Sequence, residues 1–223
     1  MEFANEASRA RYYRNYCDFE TIIDLPGILA TATGTVAAST IVAPQSQSQI
    51  GVLQSDPGTD AAGLAGWLTS ALLGRLDNGG TWKLEQLIRT PAALSDGTTT
   101  YSLRAGFLDS VSAESTDGVF FRYTHSVNTG KWQFVTRANG VETITDTGVT
   151  VVVSTDYKLN IVVNPDGLKA FGLINGLNVA SATATIPVGA GRETGFGAMI
   201  LKSLGASARP FWTDYSDVVC VFR

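Results

Sequence analysis

Two close pairs of carboxylates, Glu142/Asp146 and Asp214/Asp217, come nearest in this chain to the spacing of an acid–base couple. Hydrolysis of a glycosidic bond needs two carboxyls flanking the bond, one protonating the leaving oxygen and one acting as nucleophile or base. The even separation of Glu142 and Asp146 would set both on one face of a strand. An isolated surface pair is far commoner than a catalytic couple, so no catalytic residue is expected. The lone histidine, His125, excludes a multi-histidine metal centre and reads as structural. A Ser-His-Asp triad built on it would lack the Gly-x-Ser-x-Gly elbow. Asp109, Glu114 and Asp117 cluster around one loop, but their spacing matches no EF-hand-type calcium loop. Neither a metal nor any other cofactor is expected. Trp67, Trp82, Trp132 and Trp212 could stack on a sugar ring, yet aromatics inside alternating strands are read here as core. The stretch from Gly189 to Gly195 lacks the lysine of a phosphate-binding loop and reads as an inter-strand connection.

The elements that would position these residues are strands. Tyr157, Leu159, Ile161 and Val163 fall on one face while Lys158, Asn160 and Asn164 fall on the other, as a half-solvated antiparallel strand requires. Asn139-Gly140 and Asn175-Gly176 suit two-residue hairpin turns, where both central residues take positive φ. Earlier strands are expected at 19–24, as one long run from Thr31 to Val42, and at 50–55, 82–89 and 101–108. From residue 117 onward strands recur at about 8–12-residue spacing, the rhythm of a two-sheet sandwich. One short helix is expected over Ala61–Leu76, because Leu64, Trp67, Leu68, Ala71 and Leu72 recur at helical spacing. Gly63 and Gly66 weaken it. No Pro- or Ser-rich linker divides the chain, so 17–223 is read as one sandwich preceded by a short arm, 1–16.

That arm has its own composition. Ser8 to Tyr16 holds three arginines and three tyrosines. Arg9, Arg11, Tyr12, Tyr13, Arg14 and Tyr16 are the residue types most enriched at protein–protein contacts, and they are expected to form an interface. Asn5 or Ser8 could cap a short helix there. Only 16% of the chain is charged, against about 25% in average proteins, which fits a surface partly covered by neighbours. The net charge of −4 gives no basic field for nucleic acid. No apolar run approaches the roughly 20 residues that cross a bilayer. The N-terminus lacks the pattern of a secretory signal, so assembly in a cytoplasm is expected. Cys17 and Cys220 sit at opposite ends of the sequence. First and last strands often lie side by side, but without an export signal two small buried thiols are expected rather than a disulfide.

A longer set of motifs joins these elements. It comprises Arg104-x-Gly106-Phe107-x-Asp109-Ser110, Asp117-Gly118-Val119-x-Phe121-x-Tyr123-x-His125-Ser126, Gly130-x-Trp132-Gln133 and Thr136-Arg137. It continues through Asp146-Thr147-Gly148-Val149, Tyr157-Lys158-Leu159, Val163-Asn164-x-Asp166-Gly167, Ile174-Asn175-Gly176, the glycine-rich run from Ile186 to Gly197, and Asp214-Tyr215. This block resembles the concanavalin A-like (laminin-G-like) jelly-roll modules of bacteriophage virion proteins. The resemblance implies an all-β, antiparallel two-sheet jelly roll in a virion. Glucanases of that fold carry Glu-x-Asp-x-x-Glu on one strand, which this chain lacks, so no enzyme is expected. Two functions are carried forward. One is a capsid decoration (cement) protein, a homotrimer by analogy with the local three-fold positions of icosahedral shells, bound to the major capsid protein or other virion subunits. The alternative is a carbohydrate- or receptor-binding module of a tail fibre or tailspike, with a host glycan as partner. An initiating Met with only some sixteen residues before the first strand favours decoration. Removing the arm is then expected to leave a folded sandwich that no longer binds the particle.

Overall fold

Alternation of apolar and polar residues, broken by Asn-Gly and Pro-Asp-Gly turns, leaves this chain little choice but antiparallel strands. The computed structural model describes residues 11–19, 28–35, 37–45, 49, 51–69, 74–124 and 127–222. Fifteen strands are seen there: β1 (Tyr12–Asp18), β2 (Ile28–Thr33), β3 (Ala38–Val42), β4 (Val52–Asp56), β5 (Leu64–Thr69), β6 (Gly80–Arg89), β7 (Thr100–Leu108), β8 (Gly118–Thr124), β9 (Lys131–Ala138), β10 (Val141–Thr150), β11 (Asp156–Val163), β12 (Ala170–Ile174), β13 (Leu177–Ala182), β14 (Gly195–Leu204) and β15 (Phe211–Phe222). They form two antiparallel sheets. One runs β13-β12-β11-β6-β15-β4-β3, with β1 added beside β15; the other runs β10-β9-β8-β7-β14-β5-β2. The all-β two-sheet sandwich expected from the sequence is what the chain forms.

The core lies between the sheets. β6 and β11 contribute Leu84, Ile88, Leu159, Ile161 and Val163, all buried, and β11 alternates as its sequence predicts. Against them β5, β7, β8, β9 and β14 set Trp67, Phe107, Phe121, Trp132, Phe134 and Phe196. Edge-to-face contacts such as Trp132–Tyr157, with centroids 5.6 Å apart, join the layers. Both hairpins close as read: Asn139 and Gly140 have φ of 54° and 78°, Asn175 and Gly176 52° and 82°. Ala138 faces Val141 and Ile174 faces Leu177 across them.

Two expectations need correction. The helix expected over Ala61–Leu76 is not formed where residues are described: Leu64–Thr69 is β5, with every residue buried. A strand covered on both faces loses its alternation, and its continuous apolar run satisfies a helical pattern by accident. Gly66 is there for close approach, since a Cβ would lie 2.6 Å from the carbonyl oxygen of Ala198 on the neighbouring strand. Among the described residues the only helical turn is the 3-10 turn Val127–Gly130. The long strand read from Thr31 to Val42 is two, divided by a turn at Gly34–Thr35, and β2 and β3 belong to different sheets. The strand expected at 19–24 lies, after Phe19, outside the described residues, as do Asn5, Ser8, Arg9 and His125.

First and last strands do pair, but their register separates the cysteines. Tyr13 faces Cys220 and Cys17 faces Ser216. Four positions along a strand is about 14 Å, twice the Cα separation a disulfide tolerates. Both thiols are free and buried. Burial pushes each from the ordinary value near 9 up to about 11. The folded state therefore prefers the protonated thiol: this stability is complete below about pH 9 and is lost as pH rises toward 11. Burial moves Tyr101, Tyr123 and Tyr157 upward too, extending the loss into stronger base. The urea midpoint should be lower at about pH 10.5 than at about pH 8, and a Cys17→Ser/Cys220→Ala double variant should show a smaller drop. Equal drops would show that the thiols stay protonated in both states.

Candidate functional site

The central strands of the seven-stranded sheet are buried on both faces. Away from the core, Leu64, Leu68, Leu108, Phe120, Val135 and Met199 form a second apolar cluster, into which Val111 is inserted. Val111 belongs to the 109–117 loop, which folds back onto the sheet. The loop is closed by backbone contact between Asp109 and Asp117, by the Asp109 carboxylate accepting from Thr116 N at 3.0 Å, and by Ser115 Oγ donating to Ser110 O at 2.8 Å. Asp117 accepts from Asn139 N and from Arg192 Nη1, at 2.8 and 2.7 Å.

Beyond the apolar cluster the same face becomes polar. Arg104 on β7 is the direct cross-strand partner of Arg122 on β8, and Arg122 in turn faces Gln133 on β9. Like charges directly opposite repel, so this pair needs counter-charge. Glu142, on β10 opposite Arg137, supplies part of it: Arg122 donates to both Glu142 carboxylate oxygens, at 3.0 and 3.1 Å, and its Nε donates to Gln133 at 3.0 Å. Glu114 of the loop supplies the rest. One of its oxygens accepts from Arg104 Nη2 at 2.8 Å and from Arg137 Nη1 at 2.5 Å. Burial would raise the Glu114 carboxyl, but Arg104 and Arg137 outweigh it and hold the group below its ordinary value. Three arginines against two glutamates leave the cluster with a formal excess of positive charge on an acidic chain.

The balance is incomplete at Arg104. Its side chain is 5% exposed and lies over the Phe120 ring. Nε and Nη1, which carry more than half of its N–H donors, have no hydrogen-bond partner, and neither has the buried Nε of Arg137. Burial lowers the Arg104 pKa, Glu114 opposes that, and Arg122 and Arg137 add to it. Beside these groups is a recess of about 320 Å³, lined by Thr100, Ser102, Thr124, Ser203, Leu201 and the Arg104–Glu114–Arg122 group.

The opposite face of the sandwich, on the eight-stranded sheet, carries a groove of about 510 Å³ around Lys83, Glu85, Lys158, Asn160 and Asp217. There the carboxylates have their partners. Glu85 accepts from Tyr215 at 2.5 Å, Asn160 at 2.6 Å and Lys158 at 3.3 Å. Asp217 holds Arg14 through two hydrogen bonds, at 3.0 and 2.9 Å.

The residues singled out in sequence distribute as follows. Glu142 and Asp146 share a face, but Glu142 is held by arginine, and Asp146 accepts from Lys131 and from Gly148 N. Asp109, Glu114 and Asp117 turn to separate partners. No group of three side chains able to hold a metal is found among the described residues. Trp67, Trp82 and Trp132 are core; Trp212 is half-buried. Of the arm residues, Tyr12 to Tyr16 lie in β1, so the boundary read at residue 17 falls inside a strand. Tyr16 stacks on Tyr215, Tyr13 meets the edge of Trp82, and Arg14 pairs with Asp217. Arg11 and Tyr12 remain turned to solvent. The arginine cluster itself was missed. Its signal in the sequence is an arginine set between two apolar, core-facing residues on two successive strands, Leu103-Arg104-Ala105 and Phe121-Arg122-Tyr123.

The fold is a concanavalin A-like sandwich, and solved structures share it. The peanut lectin, seen with a nine-residue peptide, is 8% identical over 96% of this chain and 100% of its own, with a TM-score of 0.62. An endo-1,3-beta-glucanase from Streptomyces sioyaensis is 12% identical over 95% and 97%, with a TM-score of 0.61. SO2946 from Shewanella oneidensis MR-1, described as a protein of unknown function, is 15% identical over 95% and 87%, with a TM-score of 0.66. At such identities the likeness is one of fold, and none of these three is named as a virion protein. No curated protein sequence matches. The chain belongs to the family described as SO2946-like, C-terminal domain, whose profile matches residues 48–214.

Proposed function

We propose that this chain is a non-catalytic carbohydrate-binding domain whose ligand sits in the recess beside Arg104. The observation that carries the reading is that recess: about 320 Å³, room for a sugar residue, lined by the hydroxyl-bearing Thr100, Ser102, Thr124 and Ser203 and by the apolar Leu201. A related fold named as a lectin supports it. A glycosidase would need one carboxyl kept protonated near neutral pH. Both acids at this site are instead tied to arginine, and Glu114 is held ionised. Screening against a glycan panel should give binding with no release of reducing ends. Turnover that disappears in Glu114→Gln or Glu142→Gln would reverse the assignment to an enzyme.

A second reading, attachment to a viral shell as a decoration protein, is favoured by one feature. Tyr12 is 72% exposed, beside exposed Arg11, on a strand whose outer edge has no strand partner among the described residues. Such an edge can add a strand from a neighbour.

A further inference from the structure

We propose that the Arg104–Arg122–Arg137 cluster selects acidic glycans, receiving a carboxylate or sulfate group of the sugar, and that Glu114 is a built-in stand-in for that group. The inference deepens the carbohydrate reading and rests on it. Its grounds are structural. The cross-strand pairing of Arg104 with Arg122 concentrates positive charge that two glutamates do not cancel. The unpartnered N–H groups of Arg104 and Arg137 are buried where leaving a donor unmatched is costly. Arginine is suited to this task because its planar fork matches the oxygens of a carboxylate or sulfate. The hydroxyl-lined recess lies on the same side of Arg104 as the sheet positions Ser102 and Thr124, which are cross-strand partners. A sugar ring held there would bring its acidic substituent to the guanidinium groups.

Glu114 has the properties of a stand-in. It comes from a loop rather than from the sheet, its side chain is about half exposed, and one oxygen serves both Arg104 and Arg137. Glu142, in contrast, is fixed by its own strand pairing to Arg137 and by the twofold contact with Arg122. Withdrawal of Glu114 would free donors on two arginines at once while Glu142 kept Arg122 in place.

Calorimetric titration of the full chain with a uronic-acid oligosaccharide, a sulfated oligosaccharide and their neutral counterpart tests this. At least one acidic ligand should bind about tenfold or more tightly than the neutral one at low salt, the preference shrinking as salt rises. The two acidic arms tell carboxylate from sulfate. Arg104→Gln should abolish the preference. Because that variant removes a buried side chain and can fail to fold, Glu114→Gln is the companion: freed of the stand-in, the acidic-to-neutral affinity ratio should rise severalfold with the circular dichroism unchanged. Equal binding of acidic and neutral ligands overturns the inference while leaving the carbohydrate reading intact. A ratio that does not rise in folded Glu114→Gln overturns the stand-in role. Failure of every glycan to bind, acidic ones included, overturns both.

Discussion

Replacing Trp67 with alanine should destabilise the sandwich by about 3–5 kcal/mol, a large share of the roughly 5–15 kcal/mol that holds an ordinary domain together. Trp67 stands at the joint of the two layers. From β5 it is wholly buried, edge-on to Phe19 at 5.2 Å and to Phe196 at 6.0 Å. Its indole N–H donates to Thr213 Oγ1 at 3.0 Å, reaching from the seven-stranded sheet to β15 of the eight-stranded one. Truncation would open a cavity and orphan the Thr213 hydroxyl together. Trp67→Phe, which restores most of the ring but not the hydrogen bond, should lose distinctly less. Urea denaturation of the three proteins measures both, and an alanine variant within about 1 kcal/mol of the parent would show that the layers do not depend on this contact.

Removing residues 1–16 should damage the fold, not merely an attachment arm. Five of the seven register pairs between β1 and β15 would go, along with the bond from Phe222 N to Arg11 O. At about 0.2–1 kcal/mol per cross-strand pair the loss is about 3 kcal/mol, or a Tm lower by about 6–12 °C. The unzipped edge of β15 would also favour association between copies. Differential scanning calorimetry and light scattering read the two effects. An unchanged Tm would restore the view of 1–16 as a free arm. Attachment to a particle therefore needs a gentler probe. Arg11→Ser/Tyr12→Ser changes two exposed side chains, should leave the Tm within about 2 °C, and isolates any contact made by this edge.

The strand content was legible because it is a local property. Alternation in β11 places four apolar side chains on one face, and the Asn-Gly pairs demand the positive φ that closes their hairpins. The failure at β5 has the opposite cause. Its two-sided burial depends on β2, β14 and the cluster around Phe120, none of which lies nearby in sequence. The same holds for the cysteines: chain-end pairing could be anticipated, but the four-position offset in register could not.

By itself the sequence determined an acidic, charge-poor, all-β chain whose core residues sit at alternating positions, because side-chain direction in a strand follows from spacing alone. Only the tertiary structure decided that Arg104, Arg122 and Arg137 share one face and that Glu114 reaches them from a loop. Three strands must first take a particular register, and register is set by packing between residues far apart in the chain. A slip of one residue in β8 would turn Arg122 into the core. The apolar contacts of Phe121 and Tyr123 on the other face forbid that slip, and so keep the arginines on the face away from the core.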